Sequence, residues 1–346
     1  MTELRLPRLL VTGGAGYVGA VLVPHLLGLG HQIRVLDLYL FGEQALAGVR
    51  GHPRLEEVRG DLRDDILVKQ ALQGIDAVVH LACISNDPSC ELDPQLTRSI
   101  NLDAFVPLVR EARAAGVRRF VFASSSSIYG LSDEPQVTED HPMRPVSLYN
   151  QYKYRCEEIL FEQQSGDFTT VAIRPATLCG RSPRQRLDLT VNLLTAHALE
   201  RGAITVFGGA QQRPNLHLDD MVSIYELLLR VPDEVIAGEA FNAAYRNHSV
   251  SEIAAIVVRT VAAAFPERPP VTIETVASND PRSYRVNCDK LRDRLGYQPQ
   301  RSIEDGITDL IDAYRRGELA LDDPRSSNVR WMKQLTPRVC APFPKG

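Results

Sequence analysis

The residues best suited to chemistry lie in two short stretches. "FVFASSSSIYG" (residues 120–130) is an apolar strand pattern that runs into four serines and a tyrosine. A sheet core has no use for four hydroxyls in a row, so the run reads as a polar loop or as part of a site. "SLYNQYKYRCEEIL" (147–160) places Tyr149 and Lys153 four residues apart. On a helix that spacing puts both side chains on one face. An ammonium beside a phenol favours the phenolate and is expected to lower the tyrosine pKa. A tyrosine poised in this way can take a proton from an alcohol while hydride leaves to an acceptor such as an oxidised nicotinamide.

A nicotinamide needs a cradle, and "LLVTGGAGYVGAVLVPHLLGLGHQIRVLDL" (9–38) has the form of one. Gly14, Gly16 and Gly19 fit G-x-G-x-x-G, while Gly13, Gly16 and Gly19 fit G-x-x-G-x-x-G. Such glycines turn the chain sharply and let backbone approach a pyrophosphate, which the free N–H groups of the following helix then meet. Asp37 lies eighteen residues past Gly19, where a carboxylate accepts hydrogen bonds from adenosine ribose hydroxyls. The same carboxylate repels a 2′-phosphate, which favours NAD over NADP. Asp61 in "GDLRD" is placed to meet the adenine or, alternatively, to cap a helix. Ala82 in "HLACISND" is small enough to let a cofactor pass.

The elements that must position these residues follow from periodicity. Short apolar runs at 8–14, 32–38, 54–62, 76–82, 118–124 and 169–175 predict strands. Helical patterns at 17–28, 64–72, 94–115 and 147–164 separate them. Strand and helix alternate, so the expected fold is α/β: a doubly wound parallel sheet of Rossmann type with a smaller, interleaved C-terminal substrate domain. The expected division is 1–180 for the NAD-binding part, 181–335 for the mainly substrate-binding part, and 336–346 for a poorly ordered, proline-rich tail. Beyond residue 180, residues 181–202 predict a loop and a helix and "AITVFGG" a strand, with further helices at 217–230, 250–263, 289–295 and 303–316.

Composition narrows the class. The chain has 346 residues, 44% of them hydrophobic, and a formal charge of −4. That supports a large core and gives no broad basic surface, so no nucleic-acid partner is expected. The first apolar run is too short for a signal peptide and nothing reaches transmembrane length, so a cytoplasmic protein without a membrane partner is expected. Six cysteines without metal-ligand spacing fit reduced thiols and no metal.

Taken together, "TGGAGYVG", Asp37, "GDL", "HLA", Asn101, "SSSSIYG", Tyr149-x-x-x-Lys153, Arg174–Pro175 and "RPNLHLDD" at 213–220 resemble the extended short-chain dehydrogenase/reductases, specifically the NAD-dependent sugar epimerase/dehydratase family. The resemblance spans roughly residues 8–300. It implies a tightly held NAD, a nucleotide-sugar pocket between two domains, and a homodimer. It implies cofactor contacts from Gly13, Gly16, Tyr17, Val18, Asp37, Asp61, Leu62, Leu81, Ala82 and Ser124, with Tyr149 and Lys153. It makes Ser125, four residues before Tyr129, the catalytic hydroxyl. Ser126 and Ser127 then stand where similar dehydratases carry Asp-Glu and similar 3,5-epimerases carry Cys at the second position. A serine is too weak an acid or base for either task. Simple epimerisation, at C4, is the expected reaction. A ketoreductase or dehydrogenase acting on an activated sugar, and a non-catalytic dinucleotide-binding regulator, are the alternatives.

Arg213 and Arg282 match the family's diphosphate-binding arginines, and Ser85, Asn86 and Thr177 are expected sugar contacts. Arg184 and Arg186 are expected to add charge at a lid over the substrate. His217, Cys83 and Cys179 are expected to be structural. The chain departs from the family at Thr177 (often Asn), Cys179 (often aromatic) and Pro214 (commonly an acid), which leaves the sugar open.

Overall fold

The fold is a computed structural model that describes residues 7–132, 134–277 and 283–339, with side chains to residue 335. Twelve strands occur in chain order among the described residues. They are β1 (Arg8–Thr12), β2 (Gln32–Asp37), β3 (Leu55–Arg59), β4 (Ala77–His80), β5 (Arg119–Ala123) and β6 (Thr169–Pro175). Then come β7 (Thr177–Cys179), β8 (Ala203–Phe207), β9 (Gln212–His217), β10 (Glu239–Ala243), β11 (Arg246–Ser249) and β12 (Thr272–Val276). Seven of them form one sheet in the order β10-β6-β5-β4-β1-β2-β3, every pair parallel.

Parallel strands are buried on both faces, and the side chains alternate accordingly. Leu9, Val11, Val35, Val79 and Val121 pack under helices Gly19–Gly28 and Leu218–Arg230. Leu10, Val78, Phe120 and Phe122 pack under helices Asp65–Leu72, Phe105–Ala114 and Leu148–Glu162. The chain leaves β1 toward β2 on one side and returns as β4 on the other. That reversal opens a crevice at the carboxyl ends of β1 and β4, the position where open α/β sheets bind ligands.

Beyond β6 the chain builds a second core. Helices Thr190–Arg201, Val250–Ala264 and Ile303–Arg315 enclose Leu194, Ile253, Val257, Ile307 and Leu310 with Ile204 of β8. Capping boxes at Ser249/Glu252 and Ser302/Asp305 start two of these helices. A small sheet, β11-β9-β7, and the pair β12-β8 complete this part. Between them the chain goes back to the large sheet, adding β10 beside β6.

Several elements differ from the sequence reading. The helix expected over 94–115 is broken into Pro94–Arg98, a wide π turn at Ser99–Asp103, and Phe105–Ala114. That turn carries Asn101, whose side chain accepts from Ile84 N–H at 2.8 Å and donates to Ile84 C=O at 2.9 Å. The side chain therefore fixes the loop that follows β4. Strands β7, β9, β10, β11 and β12 were not expected. A last helix, Asn328–Val339, reaches past residue 335, where the sequence reading began a tail; residues 340–346 lie outside the described residues.

Candidate active site

The glycine turn forms as its spacing predicts. Gly13 has φ +74°, and a Cβ there would lie 2.6 Å from the Ala82 backbone nitrogen. A Cβ on Gly19 would lie 2.5 Å from Gly14 Cα, so helix and turn touch backbone to backbone. Gly16 is different: its Cβ would meet only Gly13 O, at 3.1 Å, and the residue faces the crevice. Helix Gly19–Gly28 has no side-chain cap at Val18, so its N-terminus is open to an anion.

Asp37, at the end of β2, accepts from Ala15 N–H at 2.9 Å and from Tyr39 N–H at 2.7 Å. Burial raises its pKa, and these two bonds with the field of Arg184 oppose the rise. Asp61 is buried and is clasped by the Arg63 guanidinium, with Nη2 at 2.7 Å. It caps no helix; Asp64 does, accepting from Ile66 and Leu67 N–H at 3.0 Å.

The serine loop and the Tyr149 helix are fixed to each other by one buried network. Arg174 of β6 donates to Glu157 from Nη2 at 2.7 Å and from Nε at 3.0 Å, and to Tyr129 Oη at 2.8 Å. Tyr129 in turn donates to Asn242 of β10 at 2.7 Å. Ser147 caps the Tyr149 helix, accepting from Asn150 N–H.

Within the loop the serines separate. Ser125 caps the short 3-10 turn Ser126–Tyr129, accepting from Ser127 N–H at 3.2 Å. Its hydroxyl shares a 2.7 Å hydrogen bond with that of Ser127, which donates to Asn150 Oδ1 at 2.5 Å. Ser126 is buried, 3.4 Å from Tyr284 Oη. Ser124 is buried and its hydroxyl has no partner.

Lys153 is buried and donates to Ala123 C=O at 2.5 Å. Its Nζ lies 5.8 Å from the centroid of the Tyr149 ring. The expected lowering of the Tyr149 pKa is not found. Burial pushes the phenol well above its ordinary value, Cys83, Cys90 and Asp87 add to the rise, and Arg186 is the cation that opposes it. The reason is desolvation: the ring packs beside the apolar cluster of Ile84, Cys90, Leu96, Ile100 and Met332.

The glycine turn, Asp37, Asp61, the four serines, Tyr149 and Lys153 face one cavity of about 540 Å³. Tyr17, Val18, Leu62, Leu81 and Ala82, expected at the cofactor, line the half of it beside the glycine turn, with Gly13, Gly16, Asp37, Asp61 and Ser124. Ser125, Tyr149 and Lys153 stand where this half meets Ser85, Asn86, Ser126, Ser127, Thr177 and Arg213. Asn86 holds an uncommon φ of 74°, maintained by donation to Asp188 at 3.1 Å and acceptance from Ser89 N–H at 2.9 Å. Arg282 lies outside the described residues. Cys83 lines the cavity too, whereas Cys179 is buried with its thiol 3.6 Å from Leu216 C=O. His217 accepts from Asp219 N–H at 3.1 Å and meets Asp309 at 3.1 Å on its other nitrogen, so it works as a helix cap.

Phe41, Asp188, Asn328 and Met332 are among the cavity residues that the sequence reading did not name. Arg184 and Arg186, expected at a lid over the substrate, are both buried and line it as well. Arg186 pairs with Asp188 at 2.9 Å and reaches Ser85 Oγ at 3.3 Å. Asn328, from the last helix, donates to Ser85 Oγ at 2.8 Å and accepts from Arg184. Only the capping pattern "DDPRSSN" before that helix hinted at order there.

A glycine turn with a positive φ, an uncapped helix end, and a ribose-type carboxylate fit a dinucleotide. A Cβ on Gly13 would already collide with the protein, and Gly16 presents bare backbone to the cavity. Fold and site together define a dinucleotide-dependent enzyme of the extended short-chain dehydrogenase/reductase type. Comparison with known proteins gives the family. The model of the NAD dependent epimerase/dehydratase family matches residues 9–244, and the chain belongs to that family. Its cofactor is NAD.

A UDP-glucose 4-epimerase of Mycolicibacterium smegmatis is 29% identical over 89% of the chain and 98% of its own length. A dTDP-glucose 4,6-dehydratase of Streptomyces griseus is also 29% identical, over 89% of the chain and 94% of its own length. The solved structure of MoeE5 in complex with UDP-glucuronic acid and NAD is 28% identical, with a TM-score of 0.76 over 90% of this chain and 99% of that one. Among the described residues no helix is long and apolar enough to cross a membrane.

Proposed function

We propose that the protein epimerises a nucleotide-activated sugar at C4 through a transient 4-keto sugar. The observation that supports this reading is where the cavity's carboxylates are spent. Asp37 is bound by two backbone N–H groups, Asp61 by Arg63, Asp188 by Arg186, and Asp87 by the Ser147 hydroxyl at 2.5 Å. The serine loop itself offers the sugar only hydroxyls, and the Ser127 hydroxyl donates to Asn150. Loss of water or a carbon-bound proton needs a stronger acid or base than that.

Bound NAD supplies the hydride acceptor and donor. Tyr149 exchanges the proton of the reacting hydroxyl. Because burial holds its phenol protonated at rest, Tyr149 is ready to return a proton to a ketone oxygen. In the oxidative direction it depends on nearby positive charge, and Lys153 and Arg186 are the protein's contribution. Ser125 holds the same oxygen, its orientation set through Ser127 and Asn150. Arg213, from β9, meets the diphosphate.

NMR of UDP-, GDP-, CDP- and dTDP-sugars incubated without added cofactor tests the reading. The expected product keeps its mass and inverts one stereocentre, and Tyr149→Phe abolishes turnover while retaining NAD. A product lighter by water or carbon dioxide, or turnover that consumes added NADH, would sink it.

A further inference from the structure

Arg184 stands apart from the other buried arginines among the described residues. It is 6% exposed and lines the cavity. Arg174 is closed onto Glu157, and Arg186 onto Asp188. Among the described residues Arg184 pairs with no carboxylate: one nitrogen donates to Asn328 Oδ1, and its Nε has no hydrogen-bond partner. The guanidinium carbon lies 3.5 Å from the centroid of the Phe41 ring, so the ring face fixes the plane of the fork. Burial first, then Arg186, pulls this guanidinium down to about 9, against the pull of Asp188, Asp37 and Tyr17. A buried charge with an unmade hydrogen bond is costly, and a ligand anion is the ordinary completion.

The neighbours say which anion. Arg184 acts on Asp37, the ribose carboxylate, and on Tyr17 of the glycine turn. Phe41 follows β2, on the same side of the crevice. These place the cation at the adenosine half of the cavity, on the side of the helix end that is open to phosphate.

The geometry points to Arg184 as a ligand of the cofactor's pyrophosphate, held by Asn328 and Phe41, so that helix Asn328–Val339 completes the dinucleotide site. This rests on NAD as the cofactor and on no particular sugar reaction. Trp331, on the same helix, donates to Leu40 C=O at 2.6 Å, and Asn328 also holds Ser85. The helix thus joins the loop after β2 to the loop after β4, on opposite sides of the crevice.

Calorimetric titration of NAD-freed protein with NAD, ADP-ribose, adenosine, NADP and UDP tests this, with Tm and Trp331 fluorescence recorded alongside. Trp331 is the chain's single tryptophan and reports whether the helix is docked. Arg184→Gln is expected to weaken NAD and ADP-ribose about ten- to a hundredfold, as for loss of a charged hydrogen bond, and to leave adenosine and UDP unchanged. Unchanged ADP-ribose affinity in a folded variant overturns the assignment. So does a loss confined to UDP, which makes Arg184 a substrate ligand, or confined to NADP, which makes it a 2′-phosphate ligand. If Arg184→Gln does not fold, Asn328→Ala decides. It leaves the guanidinium present but unheld: a several-fold loss of ADP-ribose affinity supports the assignment, and none overturns it.

Discussion

Lowering the pH from 7 to 5 is expected to remove about 2 kcal/mol of stability through His80 alone. His80 ends β4 under the site, buried among Phe105, Phe120 and Phe122, with its Nδ1 bonded to Thr12 Oγ1 at 2.7 Å. Burial, with Lys153 second, brings its pKa from 6.5 down to about 3. Folded protein therefore keeps the ring neutral over a range in which unfolded protein takes up a proton. Stability is unaffected above pH 6.5 and falls as pH drops below it, until the folded ring itself protonates near 3. At pH 5 the gap to 6.5 is 1.5 units, which at about 1.4 kcal/mol per unit gives the figure above. The assay is urea unfolding of wild type and His80→Gln, which keeps a partner for Thr12 and does not titrate. Other groups titrate alike in both proteins and cancel. The stability difference between them should shift by about 2 kcal/mol in favour of the glutamine between pH 7 and 5. A difference that stays constant to within about 0.5 kcal/mol would refute the buried, neutral histidine.

Two other substitutions probe the cradle and the lock behind the serines. Gly13→Ala places a Cβ 2.6 Å from Ala82 N at a φ of +74°. It should cost about 1–3 kcal/mol and strip NAD from the purified protein, checked by Tm and by dinucleotide released on denaturation. Arg174→Met leaves the Glu157 carboxylate buried and unpaired, and denaturant unfolding should show a loss of about 3–5 kcal/mol. The double variant with Glu157→Leu should recover most of that.

The first half of the fold was legible because each strand is a short apolar run between glycine or acidic turns, and the period of two survives on both faces. "TGGAGYVG" and Asp37 were legible as a unit because helix, turn and carboxylate are local in sequence. Strand β9, "QRPNLH", was not legible: it carries a proline and polar residues, and only pairing with β7 and β11 makes it a strand. The same holds for β10, whose place beside β6 is set by contacts across more than sixty residues of chain. In the site, the residues of the serine loop and the Tyr149 helix were legible by spacing. The electrostatics were not. Lys153 was expected to dominate Tyr149, yet the apolar wall built by Ile84, Cys90 and Met332 from distant segments outweighs it. Arg184 was taken for a lid residue because nothing in "RSPRQRLDL" reveals that Phe41 and Asn328 flank it.

The Asn328 and Trp331 ties also bear on how the protein is made. The glycine turn is translated some three hundred positions before the residues that close the crevice. A nascent chain can fold its sheet while still tethered, but its crevice stays unroofed until helix Asn328–Val339 clears the ribosome. Chains cut short before Asn328 keep every strand and every residue of the Tyr-Lys pair. What they lack is the clasp across the crevice, so sorting such products by retained dinucleotide would separate molecules that carry this helix from those that do not.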